Sequence, residues 1–147
     1  MKKSFKLLAV FFAALFVLLG CSKEETATFE NSQNGMTSVL TYYYKNDLVT
    51  KQTATNTYDL KKLGVSEADA KKEVQAINDK YTAIDGVTAS LEIKDGILTQ
   101  TLSVDYTKAD VSKLRQAFPE EFTGSGDKIS FKASKESLLK EGYKEKN

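Results

Sequence analysis

Few groups in this chain are suited to chemistry, and one stands apart by position. Cys21 is the only cysteine, and it directly follows Gly20 at the end of an apolar run from Leu7 to Leu19. A thiol becomes a nucleophile as its thiolate, and beside a small residue after a greasy segment it is placed for acylation. No second cysteine exists to pair with it. The chain also lacks histidine, the commonest general base and metal ligand. A zinc set therefore cannot be assembled.

Phenols and carboxylates remain. On a strand, the run Tyr42-Tyr43-Tyr44 divides by the two-residue period, with Leu40, Tyr42 and Tyr44 on one face and Val39, Thr41 and Tyr43 on the other. One face packs beneath helices, and the other is free to meet a glycan, a peptide or a partner protein. Tyr42 and Tyr44 are the candidate interaction surface, set against plain cross-strand packing. Asp59, Asp85, Asp95, Asp105, Asp110 and Asp127 fall near expected element ends. Caps and turns explain them more simply than calcium, whose spaced acidic loop is missing. Glu120-Glu121 is the acid pair glycoside hydrolysis would need, but adjacent loop carboxylates are ordinarily solvated. Nucleophile-elbow, phosphate-loop and dinucleotide fingerprints are all missing. The expectation is a non-enzymatic chain with no catalytic residue, cofactor or metal.

The surroundings of Cys21 give the thiol its meaning. Lys2, Lys3 and Lys6 flank the apolar run, and Leu18-Leu19-Gly20 precedes the cysteine. This is the layout of a cleavable signal peptide, and its end resembles a lipobox, in which the cysteine is lipidated and becomes the new N-terminus. Thirteen apolar residues reach roughly 20 Å, short of a bilayer core of about 30 Å. One acyl chain holds reversibly, whereas two or three palmitate-like chains hold stably. The reading is a leader over 1–20, a lipidated flexible tether over 21–28 and a single domain over 29–147. The domain would then sit on the extracytoplasmic face of the cell membrane, in the envelope. Lys+Arg number 21 and Asp+Glu 20. Such a balanced surface gives no case for nucleic acid.

The elements that position these groups follow from pattern. Residues 28–34, Met36–Lys45 and Leu48–Tyr58 read as strands, rich in Thr and Tyr and joined at Asn34-Gly35 and Asn46-Asp47. Ser66 with Asp69 opens a helix whose stripe is Ala70, Val74, Ile77 and Tyr81. Val87–Lys94 and Ile97–Tyr106 flank Asp95-Gly96, a tight-hairpin signal. Leu98, Leu102, Val104 and Tyr106 share a face that Gln100 interrupts. Thr107–Asp110 starts a short helix carrying Val111, Leu114 and Phe118 and stopping at Pro119. Ile129–Phe131 suggests a short strand. A last helix from Ser134 carries Leu138 and Leu139 and ends near Gly142, with Tyr143 packing back. The fold class expected is α+β: an antiparallel sheet built from hairpins, with two or three helices on one face.

Three stretches, LTYYYKNDLVTKQTATNTY, GVTASLEIKDGILTQTLSVDYTKAD and LLKEGYKEK, together with the leader, resemble the YehR-like family of small bacterial lipoproteins. The resemblance covers the domain from about Phe29 onward. It implies an α+β domain with an antiparallel sheet behind a lipid anchor, and no established activity. Only the lipidated cysteine carries over, onto Cys21. Functionally the expectation is a membrane-anchored envelope lipoprotein that acts as a binding or interaction module. The alternative is a carrier or sensor of a small ligand or glycan. Its one expected partner is the membrane, through Cys21; an envelope protein or glycan partner stays open, as does the oligomeric state.

Overall fold

The computed structural model describes residues 23–146. The leader expected over 1–20 and Cys21 lie outside the described residues. The strands are β1 (Glu25–Gln33), β2 (Met36–Lys45), β3 (Leu48–Asp59), β4 (Val87–Lys94), β5 (Ile97–Asp105) and β6 (Lys144–Lys146). They form a six-stranded antiparallel sheet in the order β4-β5-β3-β2-β1-β6. The helices are α1 (Leu60–Leu63), α2 (Glu67–Thr82), α3 (Val111–Ala117) and α4 (Phe131–Lys140). The α+β architecture is the one that alternation predicts.

Turn chemistry sets the hairpins. Asn34-Gly35 and Asp95-Gly96 each hold two successive positive φ angles, which match the twist of the flanking strands. At the β2–β3 turn only Asn46 is left-handed, and a bulge follows between Tyr43 and Tyr44. The extra residue restores Val49 to the helix-facing side, where it is buried.

Helices are fixed by caps. Ser66 accepts from the Asp69 amide at α2 and Asp110 from the Ser112 and Lys113 amides at α3. At α4 the last turn closes as a Schellman motif: the Tyr143 amide donates to Leu138 O at 2.9 Å and the Gly142 amide to Leu139 O at 3.3 Å. Gly142 supplies the positive φ this needs. Gly86 has a different reason. A Cβ there would meet Ala109 N and Asp105 O at 2.9 Å, so only glycine lets the β4 entry approach that turn.

Three apolar clusters lie on one side of the sheet. Phe29, Tyr42, Val49, Val111, Ile129 and Leu138 pack with α4. Tyr81, Ile84, Val87, Val104 and Leu114 pack at the end of α2 with α3. Leu60, Ala70, Val74 and Leu98 pack where α1 and α2 meet β3 and β5. Phe29, Leu98 and Leu114 have no exposed surface, and burying each side chain contributes about 1.5–3 kcal/mol.

Several expectations are corrected. The tether does not extend to residue 28: Glu25–Thr28 pair with Tyr44–Thr41, Ala27 is buried, and Thr28 and Thr41 share a hydroxyl bond of 2.9 Å. Ile129–Phe131 is not a strand. The chain makes one bridge, Leu48 to Ser130, and Ser130, not Ser134, caps α4. Ile77 leaves the buried stripe of α2, being 42% exposed, and Asn78 takes its place. Helix α1 and strand β6 are additions. Asp59 caps the first through the Lys62 amide, and the second is held by pairing to β1 and by Lys146–Glu30 and Lys135–Glu145 ion pairs.

Candidate functional site: a cleft between the sheet and two helices

Strand register builds the site. Asn31 pairs with Ser38, Ser38 with Asn56, and Asn56 with Gln100. All four lie on the helix-facing side, so one polar row crosses four strands. The side chains form a chain of hydrogen bonds. Ser38 Oγ donates to Asn56 Oδ1 at 2.7 Å, Asn56 Nδ2 to Gln100 Oε1 at 3.0 Å, and Gln100 Nε2 to Asn78 Oδ1 at 2.7 Å. The last step ties α2 to the sheet. Asn78 and Gln100 are both only 3% exposed, and buried amides are tolerated because each is bonded.

The neighbouring row is apolar: Phe29, Leu40, Ala54 and Leu102 face one another in register. Beyond it stand Tyr42, Gln52 and Val104, with Tyr106 Oη donating to Gln52 Oε1 at 2.7 Å. Above this floor α2 lies over β4 and β5, and α4 packs over β1 and β2. Between them is a cleft of about 750 Å³, within the range of ligand sites. Its exposed rim includes Met36, Ile77 and Glu141. Ile77 therefore leaves the core and joins the rim.

The α3–α4 loop covers the other end. Arg115 holds that loop by donating to the carbonyls of Phe122 at 2.9 Å, Thr123, Gly126 at 3.2 Å and Lys128 at 3.4 Å. Phe118 stacks on Tyr81 with centroids 3.8 Å apart, and Tyr81 Oη donates to Glu121. Burial, more than any neighbouring charge, pushes the Tyr42, Tyr81 and Tyr106 phenols up. These hydroxyls are neutral donors throughout the physiological range.

The aromatic run is divided as the strand period requires. Tyr42 lies on the covered side, 5% exposed, in the cleft wall. Tyr44 shares that side and stacks on Phe131 at 3.7 Å. Tyr43 faces the open side, with Lys51 Nζ 5.4 Å from its ring centroid. The Tyr42–Tyr44 side is thus not an open strip. Glu120 and Glu121 both line the cleft. Of the Asp residues singled out by position, Asp59, Asp105 and Asp110 serve local structure, accepting from the Lys62 amide, from Thr107, and from the Ser112 and Lys113 amides; Asp47, outside that set, accepts from the Lys132 amide and Ser130 Oγ at 2.7 Å each. Among the described residues no group of three acidic, cysteine or histidine side chains converges on a metal position. The polar row is assembled from four strands and has no local sequence pattern. Its one sequence signal is Gln100, interrupting an apolar alternation.

An antiparallel sheet with helices on one side and a cleft between them defines a class of small α+β domains. Within it, the chain belongs to the family described as a protein of unknown function, DUF1307, whose model matches residues 25–144. It is 43% identical to the uncharacterized lipoprotein Lmo0207 of Listeria monocytogenes, over 99% of this chain and 96% of that protein. Identity to the uncharacterized lipoprotein YehR of Escherichia coli is 32%, over 69% of this chain and 67% of that protein. The NMR structure of E. coli YehR superposes with a TM-score of 0.72 at 26% identity, covering 84% of this chain and 91% of that one. An NMR structure from Streptococcus pneumoniae shares the fold, with a TM-score of 0.57 at 17% identity, over 84% of this chain and 86% of that one. These relatives are named lipoproteins, which implies a lipid anchor to the membrane, and the family description assigns no activity.

Proposed function

We propose that this lipoprotein is a non-enzymatic binding module, lipidated at Cys21 on the extracytoplasmic face, which holds a small ligand in the cleft between α2 and α4. The observation that carries the reading is the cleft itself. It measures about 750 Å³ and is floored by a hydrogen-bonded amide row beside an apolar one. The row's side chains bond one another, and Ser38, Asn56 and Gln100 also line the cleft, so polar and apolar groups lie side by side on its floor, as in ligand sites. A holding rather than a transforming role is supported by the absence of histidine from the sequence and by the engagement of Glu121 with Tyr81. Tyr42 contributes to the wall, and Tyr44 supports that wall through Phe131.

The anchor gives the cleft a direction. Cys21 is four residues from Glu25, a reach of roughly 14 Å at most. Glu25 pairs with Tyr44 beside the Asn46-Asp47 turn, while Gln33 pairs with Met36 at the far end. The Asp47 end then faces lipid, and the Met36 rim of the cleft stands farther out by about one strand length, roughly 30 Å. Nitroxides on Lys45→Cys and Lys94→Cys, read against a lipid-soluble relaxation agent in vesicles, test this: only the Lys45 label should be strongly relaxed.

The binding reading is tested by native mass spectrometry of the full lipoprotein in detergent, mixed with small molecules extracted from cell envelopes. Wild type should retain a ligand that Ala54→Phe, which fills the floor, does not. Equal retention by both, or none by wild type, contradicts the reading.

A further inference from the structure

The lining of the cleft narrows the ligand, provided that the cleft is a binding site at all. We infer that it takes a neutral oligosaccharide of a few units. The first ground is charge. The Arg115 guanidinium is spent on four carbonyls of its own loop, and Glu121 on Tyr81. The floor itself is carboxamide, hydroxyl and hydrocarbon: Ser38, Asn56, Gln100, Gln52, Ala54 and Leu102. The remaining charged lining groups, Glu120, Lys128 and Glu141, are exposed at the mouth, so an anionic or cationic ligand seated on the floor would lose its hydration without a buried counter-charge.

The second ground is hydrogen-bond capacity. A carboxamide has two N–H donors and a carbonyl with two lone pairs. Within the row, Asn56 and Gln100 each use one donor on the next amide, which leaves each a second N–H. A wholly apolar ligand would cover these groups without satisfying them, at about 1–3 kcal/mol each. A sugar fits this inventory. Adjacent hydroxyls both donate and accept, which matches the paired atoms of a planar amide, and the C–H face of the ring suits the apolar row of Leu40, Ala54 and Leu102 one register step away. Tyr58, Tyr106 and Phe122 add aromatic surface to the same lining. Extended peptide is disfavoured by position. The cleft lies over the face of the sheet, where backbone pairing is already complete, and not at an edge strand that could be extended.

The test is calorimetry on the full lipoprotein in detergent with four probe sets. These are neutral oligosaccharides of two to four units with acetamido groups, the same without them, oligogalacturonate, and myristate. Binding by at least one neutral set is expected, weakened at least tenfold by Ala54→Phe and several-fold by Ser38→Ala. Ser38→Ala removes one hydroxyl from a half-buried site and should leave the fold intact, which its urea midpoint checks. If no neutral set binds, the inference is overturned. Should oligogalacturonate or myristate bind instead, with the same sensitivity to Ala54→Phe, the ligand class is wrong and the cleft stands. Neutral sugars that bind Ala54→Phe as well as wild type also overturn it, because they would then sit elsewhere.

Discussion

The same strands present two unlike faces. Toward the helices lie Phe29, Tyr42, Ala54, Leu98 and Val104, with the amide row set among them. Away from them, Thr28, Thr41, Thr53, Ser103 and Thr88 line up in register across five strands, and Val39, Thr55, Thr101 and Ser90 form the next row. Both faces are rich in hydrogen-bonding groups, yet only one has walls. On the open face, hydroxyls pair with one another across strands, as Thr28 does with Thr41 and Ser32 with Thr37 at 3.0 Å. Water reaches the rest. On the covered face, α2 and α4 stand apart above the middle of the sheet and enclose the polar row. Recessed polar groups between two walls make a site, whereas the same chemistry on a flat sheet makes a soluble surface.

The contrast can be broken by substitution. Phe29→Ala, on the covered face, should cost about 3–5 kcal/mol in urea unfolding and remove most of the domain's stability. The adjacent pair Gln100 and Thr101 is a sharper comparison, because the two side chains point to opposite faces. Gln100→Leu deprives Asn56 and Asn78 of partners and should cost about 1–3 kcal/mol. Thr101→Ala, on the open face, should stay within about 0.5 kcal/mol.

Titration separates the faces in another way. Burial holds the Tyr42, Tyr81 and Tyr106 phenols above their usual value of 10.0. The unfolded chain ionises first, so the folded state loses stability as pH rises above the unfolded value. Phenolate absorbance from these three tyrosines should appear with unfolding and not before it. At acid pH the lever is Asp47. The Lys132 amide and then Ser130 hold its carboxyl below 3.8. Its contribution is complete above the unfolded value and is lost as pH falls through the lowered one. Asp47→Ala should cost about 1 kcal/mol, the scale of a lost helix cap, and that difference should shrink in acid.

Local rules account for much of this molecule. Asp95-Gly96, the Thr- and Tyr-bearing strands, Ser66 with Asp69, and Gly142 with Tyr143 each contain their own explanation, and the structure places them where their chemistry requires. Short elements were hidden for a physical reason. Helix α1 is four residues long and β6 three; neither has room for a period, and each is fixed by tertiary contacts. The site was hidden more deeply. Ser38, Asn56 and Gln100 are far apart in sequence, and only register brings them together. Asn78 lies outside the apolar stripe that includes Ile77, but it bonds to the Gln100 amide and is buried, while Ile77 is exposed at the rim. A polar residue breaking an apolar alternation was the one sign available.

The most direct test of the cleft is NMR of the amide-labelled full lipoprotein in micelles, titrated with a library of small neutral, charged and apolar compounds. The side-chain amides of Asn56 and Gln100 and the backbone of Ser38 should move on binding, while Thr53, Thr55 and Thr101 on the open face stay still. Hits confined to the open face, or a library that moves no cleft resonance at all, would contradict the account.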